Sequence, residues 1–411
     1  MNNFLVHNDE VKHDMCAAIG VDSIEDLFKQ IPSKARMGEL ELKNAISEME
    51  AQRNIKSLAK KNKTDYINFM GGGCYNKFTP ACINQVAQRF EFNTAYTPYQ
   101  PEISQGTLQV MYEFQTMMCR LTNMDIANAT VYDAATACAE AILMSVRIKK
   151  SDKVLVSNKI NPEYKRVIET YTHANGITVE WFDDIPKNTS EYSCVLIQTP
   201  DYYGEISSQV SVDTLLVVCC DVSSLGVIKP LDCDIMVGDV QTLGVPMSFG
   251  GPSAGFMACK EKYMRQLPGR LAGKTVDAEG NPAYTLTIQT REQHIKREKA
   301  TSNICSNQAL VGLCATLYLS VMGEKGFKQA SYLSAKQAHQ LSKKLGAKGV
   351  KTLNKNFYNE FVIEVDNAER VLKALKQNNI LGGIKLDDKK ILVATTEMIS
   401  DSDIDLYIKS I

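Results

Sequence analysis

The sequence predicts an α/β protein: a large domain on a mixed or mostly parallel sheet, an N-terminal helical extension, and a smaller C-terminal α+β domain. Three observations carry this. Short apolar runs recur between residues 152 and 259: DKVLVS, ITVEWF, YSCVLIQ, TLLVVCCD, CDIMVGDV and SAGFMAC. Strands that are apolar almost throughout are buried on both faces, as in parallel and mixed sheets. A helical segment sits among them, PEYKRVIETYTHANG (162–176), with Pro162 in its first turn and Gly176 as its C-cap, the usual asymmetry of helix ends. After about residue 305 the pattern changes to two helices followed by strand, helix, strand and helix.

Residues 1–60 form the extension. There DSIEDLFKQIP (22–32) reads as a helix opened by an Asp/Ser cap and stopped by Pro32, and ELELKNAISEMEAQRNIKSLAKK as charged and amphipathic. The large domain spans 61–305. In ISQGTLQVMYEFQTMMCRLTNM (103–124), Met111, Phe114, Met118 and Leu121 fall at 3/4 spacing, a helix with one apolar stripe. VYDAATACAEAILMSVRI (131–148) is a turn opening an alanine-rich helix. Small residues at a helix start let an anion approach the N–H groups, but a buried helix packed tightly on the sheet is the favoured reading. The small domain, 306–411, holds the long apolar helix SNQALVGLCATLYLSVMG and the amphipathic KQASYLSAKQAHQLSKKLGAKG. The strands NEFVIEVD and KILVATT alternate there with the helices AERVLKALKQN and DSDIDLYIKSI.

Composition narrows the partners. With 411 residues and a formal net charge of -1, there is no electrostatic case for nucleic acid or an anionic membrane. The longest apolar runs, such as TLLVVCC, are too short to span a bilayer, and the N-terminus MNNFLVHNDEVKHD shows no signal peptide. Of 12 cysteines most lie in apolar segments, among them Cys138, Cys194, Cys219 and Cys220, without a CxxC pair or zinc spacing. They read as small buried hydrophobes in a reducing, cytoplasmic compartment, and no metal site is expected.

Four motifs remain. LPGRLAGKTVD (267–277) looks like a phosphate-binding P-loop but leaves three residues between Gly269 and Gly273 where four are needed, and follows a helical stretch rather than a strand. FEFNTAYTPYQPEISQG (90–106) sets Tyr96 and Tyr99 on a loop stiffened by Pro98 and Pro101; these tyrosines suit either a ligand or an aromatic interface. In TREQHIKREKATSNIC (290–305), Glu292 and Lys296 sit at i, i+4 and the charge run reads as a solvated face, with His294 structural. Thr301, Ser302 and Asn303 follow as three neutral hydrogen-bonding side chains suited to a phosphate or a helix cap.

Together with VGDVQTLGVPMSFGGPSAGF (237–256), YDAATACAEA and TEMISDSDID, these stretches resemble the glycine dehydrogenase (decarboxylating) family, the P-protein of the glycine cleavage system. Within it the chain is most similar to the α-subunit branch, found where the two homologous halves of the protein are separate chains. The resemblance runs from residue 19 to residue 404. It implies the fold-type I architecture of pyridoxal phosphate (PLP) enzymes and an α2β2 heterotetramer. The β half carries a turn of the form HKTF-x-x-P-x-G-G-G-G-P. VQTLGVPMSFGGPS resembles it through Thr242, Pro246, Gly250, Gly251 and Pro252, which puts Gln241 at the lysine position. An amide cannot form a Schiff base, so this chain is expected to supply no catalytic residue of its own and to leave covalent PLP to the β subunit. Asp221 sits where such folds pair a carboxylate with the pyridinium nitrogen.

The implied reaction condenses glycine with PLP, releases CO2, and passes the aminomethyl group to the lipoyl arm of H-protein. The resemblance makes Tyr96 and Tyr99 candidates near glycine, and Thr301, Ser302 and Asn303 candidates near the cofactor phosphate across the subunit interface. Two other readings stand beside it. One is a purely structural, docking subunit; the other is a self-sufficient enzyme using Lys260 or Lys274, both of which lie beyond the turn.

Overall fold

The computed structural model describes residues 6–38, 40–304 and 306–411. Parts of the helical reading of 1–60, at residues 1–5 and 39, and the domain edge at 305 lie outside them. The chain forms two compact units, Met1–Thr64 and Asp65–Ile411.

In the first unit, α1 (Asp9–Ile19) is capped by the Asn8 side chain and closed by Gly20 at φ 81°, and α2 (Glu48–Ala59) follows. The helix expected over 22–32 is only a 3-10 turn, Ile24–Phe28, although its Ser23 cap is present. The charged segment expected to be amphipathic becomes helical only at Glu48. Ser47 and Glu50 form a capping box there, each side chain bonding the other residue's backbone N–H, which sets the helix start.

The second unit begins with β1 (Ile67–Asn68), α3 (Ala81–Ala87), α4 (Gln105–Thr122), β2 (Ile126–Ala127) and α5 (Ala134–Lys149). Then come β3 (Lys153–Ser157), α6 (Pro162–Ala174), β4 (Thr178–Phe182), β5 (Cys194–Gln198), β6 (Leu215–Asp221), β7 (Ile235–Asp239) and β8 (Gly255–Cys259). β9 (Leu271–Val276), β10 (Pro282–Thr287), α7 (Gln293–Lys296) and α8 (Ala309–Ala347) follow. The chain closes with β11 (Lys351–Thr352), β12 (Glu360–Glu364), α9 (Ala368–Gln377), β13 (Ile380–Leu381), β14 (Ile384–Lys385), β15 (Lys390–Ala394) and α10 (Asp401–Ser410).

Seven strands make the main sheet, in the order β2-β8-β7-β6-β5-β3-β4. The five from β4 to β7 are parallel, and β8 runs antiparallel to both β7 and β2. The continuous apolar strands are explained by cores on both faces. Val195, Leu216, Val218 and Met236 pack on one side with Met111, Phe114 and Met118 of α4. Leu196, Val217, Cys219 and Val237 pack on the other with Ala137, Cys138 and Ala141 of α5. The tight-packing reading of α5 holds: it is buried from Ala134 to Ile142. Cys138, Cys194, Cys219 and Cys220 are all buried. A four-stranded antiparallel sheet, β11-β12-β15-β14, has its own core with α9, α10 and the end of α8.

The C-terminal helices depart from the sequence reading: they are joined as α8 and broken only at Gly323 (φ 59°, ψ -177°). LPGRLAGKTVD, whose spacing argued against a P-loop, supplies the first arm of the antiparallel hairpin β9–β10. Its turn was visible in DAEGN: Asp277 accepts from the backbone N–H groups of Glu279 and Asn281, and Gly280 takes φ 85°.

Candidate functional site

Parallel strands in an open α/β sheet present their carboxyl ends as one edge, where such folds bind ligands. Here that edge carries Gln198 on β5, Asp221 on β6 and Asp239 on β7, and they line a cavity with Tyr75, Asp201 and Glu360. The cavity is about 30 Å³, room for one or two waters. The buried hydroxyl of Thr242, also in its wall, finds no protein partner among the described residues. A water there would satisfy it.

Gln241 follows β7 and is buried. Its side-chain nitrogen donates to the Val245 carbonyl at 2.6 Å, its side-chain oxygen faces the Cys74 thiol at 3.7 Å, and its backbone N–H donates to Asp239 at 2.7 Å. The amide is spent on closing its own loop. Burial pushes the Asp239 carboxyl up to about 6 against three hydrogen bonds that lower it. Burial likewise pushes Glu360 up to about 7; it accepts from the Gly72 N–H at 2.6 Å and the Tyr75 hydroxyl at 2.9 Å. Asp221 is raised by burial, held back chiefly by Lys77, and accepts from Ser223 through both backbone and side chain. Lys77 is itself engaged, to Ser334 at 3.0 Å and to Glu397 at 3.2 Å.

PLP does not fit these residues. The two lysines that follow the turn are placed away from it: Lys260 pairs with Asp232 at 3.3 Å and Lys274 lies exposed on the hairpin. The cavity wall is acidic, and α5's first N–H groups are already taken, Thr136 by Asp133 at 2.7 Å and Ala134 by Asp239 at 3.3 Å. Sequence reasoning missed Asp239 and Glu360. Each had a visible signal, an acid at the edge of an otherwise apolar strand.

The sequence-predicted candidates gather elsewhere. Tyr96 is 90% exposed, with its hydroxyl 2.6 Å from that of Ser306. Tyr99 packs against His294 with ring centroids 4.8 Å apart, and the Arg270 guanidinium lies 5.8 Å from its centroid. Buried Arg270 donates to the Thr97 hydroxyl at 3.4 Å. The tyrosine loop therefore packs with residues 290–304 and Ser306, and none of the five candidates borders the cavity lined by Asp221, Asp239 and Glu360. The three polar residues do not act alike. Thr301's backbone N–H donates to the Arg291 carbonyl at 2.9 Å, and the Ser302 hydroxyl turns inward to buried Glu140 at 2.6 Å. Asn303 is exposed, in hydrogen-bond contact with Tyr171.

The charge run needs correction. Arg291 is buried and donates to the carbonyls of Leu267 and Gly269. Glu292 is partly buried, its carboxylate 3.9 Å from His294 rather than paired with Lys296. The solvated face expected of the whole run is confined to His294–Lys299 within it.

Strand order, cavity position and the turn after β7 define the class: the chain has the architecture of the fold-type I PLP-dependent enzymes, without the lysine. Sphingosine-1-phosphate lyase of Burkholderia pseudomallei K96243 shares that fold, with TM-score 0.63 over 92% of this chain and 93% of the lyase at 11% identity. The model of the glycine cleavage system P-protein family matches residues 2–411, and the chain belongs to that family. It is 41% identical to the probable glycine dehydrogenase (decarboxylating) subunit 1 of Geobacillus thermodenitrificans (strain NG80-2), covering 100% of this chain and 99% of the relative. It is 36% identical to a crystallised glycine decarboxylase (P-protein) of the glycine cleavage system in inhibitor-bound form, with TM-score 0.89 and 99% of each chain covered. Its role is that of a P-protein subunit of the glycine cleavage system. Among the described residues, no helix is long and apolar enough to cross a membrane.

Proposed function

We propose that this chain is the subunit of glycine dehydrogenase (decarboxylating) that binds no cofactor itself, and that the partner β subunit holds PLP covalently in an α2β2 assembly. The observation that carries this is Gln241, whose amide is bound into its own loop at the lysine position. The electron-sink chemistry then belongs to the partner, and lipoylated H-protein receives the aminomethyl group. This chain contributes across the interface: Tyr96 and Tyr99 toward glycine, and Thr301 and Asn303 toward the cofactor phosphate, with Ser302, whose hydroxyl is bound to Glu140, holding that segment in place. The exposure of Tyr96 and Asn303 supports their reaching a partner. We further read the body as a large domain, 61–305, and a small one, 306–411. The buried, unpaired cysteines suit a cytoplasmic setting.

The test is an absorbance spectrum of the purified chain with PLP, before and after borohydride reduction. No band in the chain alone, with glycine–bicarbonate exchange on adding β subunit and H-protein, is the expected result. A trapped lysine adduct in this chain would overturn it. In the assembled complex, replacing Tyr96 and Asn303 separates this role from that of a docking subunit, which would keep its decarboxylation rate.

A further inference from the structure

We infer that Asp239 acts as an internal anion in the place where this fold would seat a phosphate, so that the chain excludes phosphorylated cofactors even when a lysine is restored. The inference rests on the reading that the partner subunit holds the cofactor, and goes beyond it by assigning the exclusion to a residue other than Gln241.

The geometry is that of a satisfied anion site. An anion bound at a helix start takes backbone N–H groups of the first turn, with hydroxyl and amide donors around it. Asp239 collects that set. One carboxylate oxygen accepts from the Ala134 N–H of α5 at 3.3 Å and from the Ser253 hydroxyl at 2.5 Å. The other accepts from the Gln241 N–H at 2.7 Å. Asp133 caps the same helix through the Thr136 N–H at 2.7 Å. The backbone is closed around this arrangement: a Cβ at Gly255 would stand 2.2 Å from the Asp133 carbonyl oxygen.

A phosphate entering here would displace Asp239 from three donors and then sit beside two carboxylates. Like charges at that range repel strongly in a buried site. Lys77, the buried cation that acts on Asp221 in this wall, is held by Ser334 and Glu397. Loss of the lysine removes the covalent anchor. Asp239 removes the non-covalent one.

The test uses the full chain as wild type, Gln241→Lys, Asp239→Ser, and Asp239→Ser/Gln241→Lys. Each is incubated with PLP and reduced with borohydride, and the adduct is located by peptide mass spectrometry. In parallel, thermal midpoints are read with and without inorganic phosphate. Neither wild type nor Gln241→Lys is expected to be labelled. The double variant gains label at position 241, and phosphate raises the midpoint of Asp239→Ser but not of wild type. Either gain supports the inference; absence of both overturns it. Labelling of Gln241→Lys at position 241 also overturns it, while leaving the cofactor on the partner. Labelling of wild type would instead sink the functional reading itself.

Discussion

The side-chain nitrogen of Gln241 lies 2.6 Å from the carbonyl oxygen of Val245, four residues on in the same turn. Gln241 is thus a structural brace of its own loop. Gln241→Ala removes that bond and leaves the Val245 carbonyl, in a buried loop, without its partner. Unmaking a buried hydrogen bond in this way costs about 1–3 kcal/mol. Urea unfolding should show a lower midpoint with an unchanged slope, while decarboxylation by the assembled complex keeps its rate. A large loss of rate with normal stability would place Gln241 in the chemistry.

Glu360 and the backbone of Gly72 meet at 2.6 Å in the cavity wall. Burial raises this carboxyl from 4.5 to about 7 in the folded chain. The folded state therefore binds more protons than the unfolded state between those values, and stability falls as pH rises through that window. The loss is about 3 kcal/mol, fully developed above pH 7. Glu360→Gln keeps an acceptor for Gly72 and cannot ionise. Denaturation curves from pH 4.5 to 8 should be flatter for the variant; parallel curves would show that Glu360 is not the titrating group.

The Tyr96 hydroxyl meets that of Ser306. At 90% exposure, Tyr96→Phe should shift stability by less than about 0.5 kcal/mol. If its hydroxyl serves the partner's site, the complex loses about tenfold or more in kcat/KM for glycine, about 1.4 kcal/mol. An unchanged value removes Tyr96 from the site.

Arg291 ties the end of the 267–269 loop to the polar segment that follows it, through two carbonyls. Arg291→Ala strips both of a charged donor and opens a gap, at a cost of about 2–4 kcal/mol. The thermal midpoint of the chain reads this directly. A shift no larger than that of an exposed neighbour such as Lys299→Ala would show that the buried arginine is not a tie.

Much of the architecture was legible because periodicity reports which faces are apolar. The stripe Met111, Phe114 and Met118 on α4, the strands β5 to β7, apolar up to their last residue, and Pro162 opening α6 needed no tertiary information. The absence of a lysine from the turn is also a fact of sequence alone. The tertiary structure decided which polar groups complete one another. Asp239 reaches Ala134 across 105 residues, Tyr96 reaches Ser306 across 210, and Glu360 reaches Gly72 across 288. Local patterning records burial and caps, which are settled within a turn or two of chain. A buried carboxylate's partner is set by where distant strands and loops come together, and no spacing in the sequence encodes that distance.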